Sequence, residues 1–169
     1  DELKERDILR IEAPLGTFFI RNEQADRPMI LMGGGTGFAP LKSMIEDLLA
    51  HHDKRPLHLF WGVRNGAELY IPGQAQQWAD QNDHILYSSA LSEPRDEDAA
   101  NSFNGFVHEA VLQQYPDLAD FDIYMSGPPA MIDASRSAFL ENGAEKRRIF
   151  FDSFEFGLDV PIRVLAKPH

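Results

Sequence analysis

Met29-Ile-Leu-Met-Gly-Gly-Gly-Thr-Gly-Phe-Ala-Pro-Leu-Lys-Ser-Met-Ile-Glu-Asp-Leu-Leu-Ala50 is the stretch that decides the fold. Its four leading apolar residues, Met29 to Met32, have the length of a buried strand. A glycine-rich turn follows, able to take positive φ and to let a ligand approach bare backbone. Leu41, Met44, Ile45, Leu48 and Leu49 then fall on one face of a helix. Pro40 suits the first helical turn, where amide hydrogens have no partner within the helix. Strand, turn and helix N-terminus together make an anion site, because free N–H groups and the positive end of the helix dipole meet there.

Two well-known phosphate motifs do not fit. In Gly35-Thr36-Gly37-Phe38-Ala39-Pro40 a proline stands at the third glycine of G-x-G-x-x-G, and the second strand lacks a ribose-binding acid. For a P-loop, Leu41 and Thr36 stand where glycines are required before Lys42-Ser43. The turn is a phosphate site of a third type.

The chain has 169 residues, about one domain, with 43% hydrophobic and 25% charged residues. This is the balance of a globular protein with a sizeable core. A net charge of −11 argues against nucleic acid or an anionic membrane surface as partner. No apolar run approaches membrane-spanning length. The absence of cysteine excludes disulfides and a cysteine-ligated iron–sulfur cluster on this stretch of chain, and fits a cytoplasmic protein. The start, Asp-Glu-Leu-Lys-Glu-Arg, is no signal peptide, and its lack of methionine suggests a fragment, a processed product or missing residues.

Taken in order, residues 7–11 and 16–20 read as two short strands around Ala-Pro-Leu-Gly. After the first helix come a strand over Leu57–Val63, a helix over Gln74–Asn82 and a strand over Ile85–Leu91. Ser92–Asn104 reads as an acidic surface loop. A helix over Phe106–Tyr115, a strand over Phe121–Met125, a helix over Pro128–Asn142 closed by Gly143, and a strand over Arg148–Phe154 complete the pattern. The expected fold class is α/β, a five-stranded parallel sheet flanked by helices. Its ligand would lie beyond the carboxyl ends of the strands. Three units are expected: residues 1–25, a nucleotide-type domain over 26–156, and a tail over 157–169 of unassigned role.

Other chemistries fare poorly. The histidines are scattered and read as surface or edge residues, not metal ligands. Ser126 lacks the G-x-S-x-G elbow of a hydrolase. The acidic loop misses calcium-binding spacing. Phe150, Phe151, Phe154 and Phe156 read by alternation mostly as core, with one at the strand end free to stack on a planar ligand.

Gly34-Gly-Thr-Gly-Phe-Ala-Pro40, Leu59-Phe-Trp-Gly-Val-Arg64 with Glu68-Leu-Tyr70, Asn104-Gly-Phe-Val-His108, Tyr124-Met-Ser-Gly-Pro-Pro-Ala-Met131 and Phe151-Asp-Ser-Phe154 recur in this order. Together they resemble the pyridine-nucleotide domain of the ferredoxin–NADP reductase superfamily. The likeness is greatest to NADH-dependent flavin reductases and to the reductase components of oxygenases and deoxysugar enzymes. It covers about residues 5 to 156. The resemblance implies hydride transfer from a nicotinamide to a flavin, with NADH as the cofactor, NADPH as the alternative, and FAD in the full-length protein.

The resemblance also implies roles for residues. Gly35, Thr36 and Gly37 would hold the pyrophosphate, with Thr36 near the nicotinamide. Arg64 and Ser92 would lie by the adenosine ribose. Ser126, Gly127, Pro128, Pro129 and Met131 would frame the nicotinamide, and Asp152, Ser153 and Phe154 would approach the flavin. Thr36 and Ser126 are the candidate catalytic residues. Residues 8–20 resemble the last strands of the flavin-binding barrel, which would be the upstream partner. An iron–sulfur domain or electron-acceptor protein is the further partner implied. Many members carry cysteine where this chain has Ser126. A nucleotide-sensing module without turnover is the alternative function.

Overall fold

The computed structural model describes residues 16–21, 26–98 and 102–154. It contains β1 (Met29–Gly34), α1 (Phe38–Ala50), β2 (Leu57–Val63), α2 (Pro72–Gln81), β3 (Ile85–Leu91) and β4 (Phe103–Asn104). Then come α3 (Val107–Gln114), β5 (Asp122–Gly127), α4 (Pro129–Glu141) and β6 (Ile149–Ser153). All six strands are parallel, in the order β4-β3-β2-β1-β5-β6.

Helices cover both faces of the sheet, so the inner strands are buried throughout: β1, β2 and β5 have no residue outside the buried class. Alternation divides them between two cores. Met29 and Leu31 of β1 pack with Leu41, Ile45, Trp61 and Trp78 on the α1–α2 side. Ile30 and Met32 pack with Phe60, Val111, Ile132 and Phe139 on the α3–α4 side. Each fully buried Leu, Ile or Phe contributes about 1.5–3 kcal/mol, so the two layers together fix the register on which the site depends.

Four expectations need correction. The sheet has a sixth strand, β4, inside the stretch read as a loop; its two residues pair with Ala90 and Leu91. Residues 16–20 form no strand but run irregularly against the α1–α2 core, with Phe18 near Tyr124 and the Arg21 N–H donating to the Tyr124 hydroxyl at 2.8 Å. The partner stretch, residues 7–11, lies outside the described residues, as do Phe156 and the tail. Phe151 is 44% exposed because β6 is an edge strand, and the Arg136 guanidinium lies 5.7 Å above its ring. His58 is no surface histidine. It is buried in β2, with its ring nitrogens 2.9 Å from the Tyr115 hydroxyl and 2.9 Å from Ser88 Oγ.

Candidate functional site

β1 lies where the strand order reverses, with β2 on one side and β5 on the other. The two connections leave in opposite directions, which opens a crevice beyond the carboxyl ends of β1 and β5. The glycine turn fills the β1 side as a single 3₁₀ turn, Gly35–Gly37, running straight into α1. Gly35 takes φ +54°, and a β-carbon there would meet nothing within 4 Å. Its backbone therefore faces open space, as ligand approach requires. Gly37 differs. A β-carbon on it would collide with the main-chain carbonyl of Ser126. Glycine at this place lets α1 sit down on the end of β5, so the expected reason, ligand approach, is replaced by packing.

A cleft of about 530 Å³ starts at this turn and crosses the carboxyl ends of β2 and β3. Gly34, Gly35, Pro128 and Met131 line one end. Arg64, Glu68 and Ser92 form a wall, and Gly105, Phe106 and His108 line the other end. Two main-chain bonds hold the wall together: Ser92 N–H to the Val63 carbonyl at 3.1 Å and Glu93 N–H to the Arg64 carbonyl at 2.7 Å. Arg64 is solvent-exposed, and its Nε donates to Glu68 Oε1 at 2.8 Å. That hydrogen bond and the charge of Glu68 push the guanidinium pKa up, and the same bond holds the Glu68 carboxyl below its usual range. The pair is screened at the surface and contributes little to stability.

Phe106, 60% exposed, stands at the entrance to α3 with its ring parallel to His108 at 5.9 Å and 14°. Glu109 Oε2 accepts the Phe106 N–H at 2.8 Å and so fixes this corner. Neither Phe106 nor His108 received a role from the sequence. The signal was an exposed aromatic beside a glycine in Asn104-Gly-Phe-Val-His108, legible only once β4 brings it alongside β3.

The remaining candidates gather at a second place, the β5–β6 corner. Ser126 pairs with Asp152 and Gly127 with Ser153, and the Phe154 N–H donates to the Gly127 carbonyl at 3.1 Å. Asp152, Ser153 and Phe154 are half-buried there, outside the cleft. Ser126 is fully buried, yet its Oγ has no hydrogen-bond partner, an arrangement that ordinarily costs about 1–3 kcal/mol. Thr36 is exposed at the tip of the turn, and Pro129 is exposed at the first residue of α4. Among the described residues no group of three acidic or histidine side chains could hold a metal, and no helix is long and apolar enough to cross a membrane.

The cleft suits an elongated ligand with an anionic group against the glycine turn and a flat ring at the far end. It has bare glycine backbone and the α1 turn at one end, a charged wall, and an exposed aromatic ring at the other end.

Known proteins agree with this geometry. Residues 31–137 match the family model of the oxidoreductase NAD-binding domain. The chain is 41% identical over 154 residues to the CDP-6-deoxy-L-threo-D-glycero-4-hexulose-3-dehydrase reductase of Yersinia pestis, covering 91% of this chain and 45% of that protein. It is 34% identical over 157 residues to a component of the Na(+)-translocating NADH-quinone reductase of Yersinia pestis, covering 90% of this chain and 38% of that one. Among solved structures, the Amycolatopsis cytochrome P450 reductase superposes with a TM-score of 0.77 at 33% identity, over 84% of this chain and 42% of that one. The ferredoxin reductase of carbazole 1,9a-dioxygenase superposes with 0.70 at 28% identity, over 85% and 42%. The chain thus spans less than half the length of these relatives. A parallel sheet with its cleft at the strand reversal, matched over most of its length by these sequences and structures, belongs to the oxidoreductase NAD-binding domain family of the ferredoxin-reductase type.

Proposed function

We propose that this chain is the nucleotide-binding portion of an NAD(P)H-dependent flavoprotein reductase. The observation that carries the reading is the continuous cleft of about 530 Å³ from Gly35 to Phe106, floored at one end by bare backbone. In it the diphosphate lies against the Gly35–Gly37 turn, where amide hydrogens and the helix dipole favour negative charge. The adenine stacks on Phe106 and the adenosine ribose lies between Arg64 and Ser92. The nicotinamide reaches Pro128, Met131 and the corner around Ser126. A bound nicotinamide supplies the hydride and a bound flavin receives it; the protein's part is to hold two rings in register and keep water out.

At that corner Ser126 offers a buried hydroxyl to the nicotinamide, Thr36 borders it from the turn, and Asp152, Ser153 and Phe154 face the flavin. That flavin, FAD, is held mainly by an upstream barrel domain. An iron–sulfur domain or an acceptor protein takes the electrons onward. The reduced dinucleotide without a 2′-phosphate, NADH, is the preferred one. The arginine of the wall is already paired with Glu68, and Glu93 adds a like charge against a phosphate.

Calorimetric titration of the chain with NADH and NADPH tests this. NADH should bind about tenfold more tightly, a difference of about 1.4 kcal/mol. Binding of neither nucleotide would overturn the reading, and tighter NADPH would overturn the preference. Joined to its upstream domain, the protein should oxidise NADH with a dye as acceptor.

A further inference from the structure

Trp61 belongs to β2, but its side chain works on the β1 turn. The ring is fully buried on the α1–α2 side of the sheet. It stacks on Phe38, the first residue of α1, with centroids 4.0 Å apart and planes 13° apart, and meets Tyr70 edge-on at 5.0 Å. The indole Nε1–H of Trp61 donates to the Gly35 carbonyl at 3.0 Å. That carbonyl also accepts the Phe38 N–H.

The consequence follows from peptide geometry. In a trans peptide the carbonyl and the following N–H point in opposite directions. With the Gly35 carbonyl drawn towards the buried indole, the Thr36 N–H is turned away from it, and the cleft lies on the opposite, α3–α4 side of the sheet. The Gly35–Thr36 peptide needs such a hold. Turning that peptide over would rotate ψ of Gly35, which has no β-carbon to resist it, together with φ of Thr36. A flipped peptide would present a carbonyl oxygen to any anion in the turn.

We infer that Trp61 is a positioning residue for the diphosphate of the bound nucleotide, keeping the Gly35–Thr36 peptide with its N–H towards the cleft. This rests on the nucleotide reading above. A flip also leaves the buried indole N–H unpaired, so Trp61 biases the turn even without ligand.

The test compares ligands with and without a diphosphate. Trp61→Phe keeps an aromatic ring against Phe38 and removes the donor. Its affinity for ADP and NADH should fall about tenfold, equivalent to about 1.4 kcal/mol. Its affinity for adenosine, measured by ligand-observed NMR, should be unchanged. A general loosening of the fold would weaken all three ligands alike, and an equal loss for ADP and adenosine therefore overturns the inference, as does no loss for either. Should Trp61→Phe not fold, replacing the indole of Trp61 by benzothiophene keeps ring size while exchanging N–H for sulfur, with the same outcomes expected. Failure of the unmutated chain to bind ADP would remove this inference together with the nucleotide reading, whereas equal binding by mutant and parent removes only the role of Trp61.

Discussion

At the N-terminal ends of the strands the buried ionisable groups have partners close at hand. Arg148 Nη1 donates to Asp122 Oδ1 at 2.6 Å, Arg55 grips Asp53 at 2.7 Å, and His58 sits between Tyr115 and Ser88. At the carboxyl ends Ser126 Oγ is buried with no partner, Gly35 holds positive φ, and Phe106 stands largely in solvent. At one pole most of these groups are matched by the protein, Arg27 Nε being an exception; the other leaves backbone and hydroxyl for something else to match. The buried ion pairs and the proposed binding residues thus fall at opposite ends of the same six strands.

Three measurements would break or sharpen this contrast. Asp122→Ala should have the largest effect. It leaves the Arg148 guanidinium buried beside an empty place, and should cost about 3–5 kcal/mol in urea unfolding. A loss under about 1 kcal/mol would show that the N-terminal pole does not hold the fold as described.

The next effect is on pH. Burial pushes His58 down to about 4 from an ordinary 6.5, so the folded state prefers the neutral ring. The unfolded chain takes up a proton below about pH 6.5, and the folded one only near pH 4. Stability from this source is complete above pH 6.5 and is lost as pH falls towards 4, by about 3 kcal/mol in all. Urea midpoints between pH 7.5 and 4.5 should show that slope, and His58→Phe should flatten it. An unchanged slope in His58→Phe would assign the acid sensitivity to other groups.

The smallest effect should have the opposite sign. Ser126→Ala removes a buried hydroxyl without a partner and should raise stability by about 1 kcal/mol in thermal unfolding. A loss of stability would mean that Oγ contributes to the fold, and the contrast between the poles would weaken.

What could be read beforehand follows the same division. Met29–Ala50 announced a buried strand, a turn and a helix because all three are local, and the helix indeed runs Phe38–Ala50. The parallel sheet followed from the alternation of such units. β4 was hidden because two residues carry no periodicity; Phe103 and Asn104 become a strand only through β3 beside them. Phe151 was misread because alternation is blind to whether a strand lies at an edge. His58 was misplaced for the converse reason, since a polar residue gave no sign that Tyr115 and Ser88 would meet it. Gly35 was legible as a turn residue. The purpose of Gly37, like the link from Trp61 to the turn, depends on how β5 and β2 register against β1, and no local pattern encodes that.

That register also orders events in time. Met29 pairs with Leu57, a nearby partner, but equally with Asp122, more than half the chain away. The crevice needs both neighbours of β1. Closing so long a loop is among the slower steps of folding, so the glycine turn forms early on β1 and α1 while its opposite wall at Ser126 and Met131 arrives last. A chain emerging from the ribosome would carry the turn before its opposite wall at Ser126 and Met131 had been made. The nucleotide binding proposed above would therefore report that β1 has gained both of its neighbours.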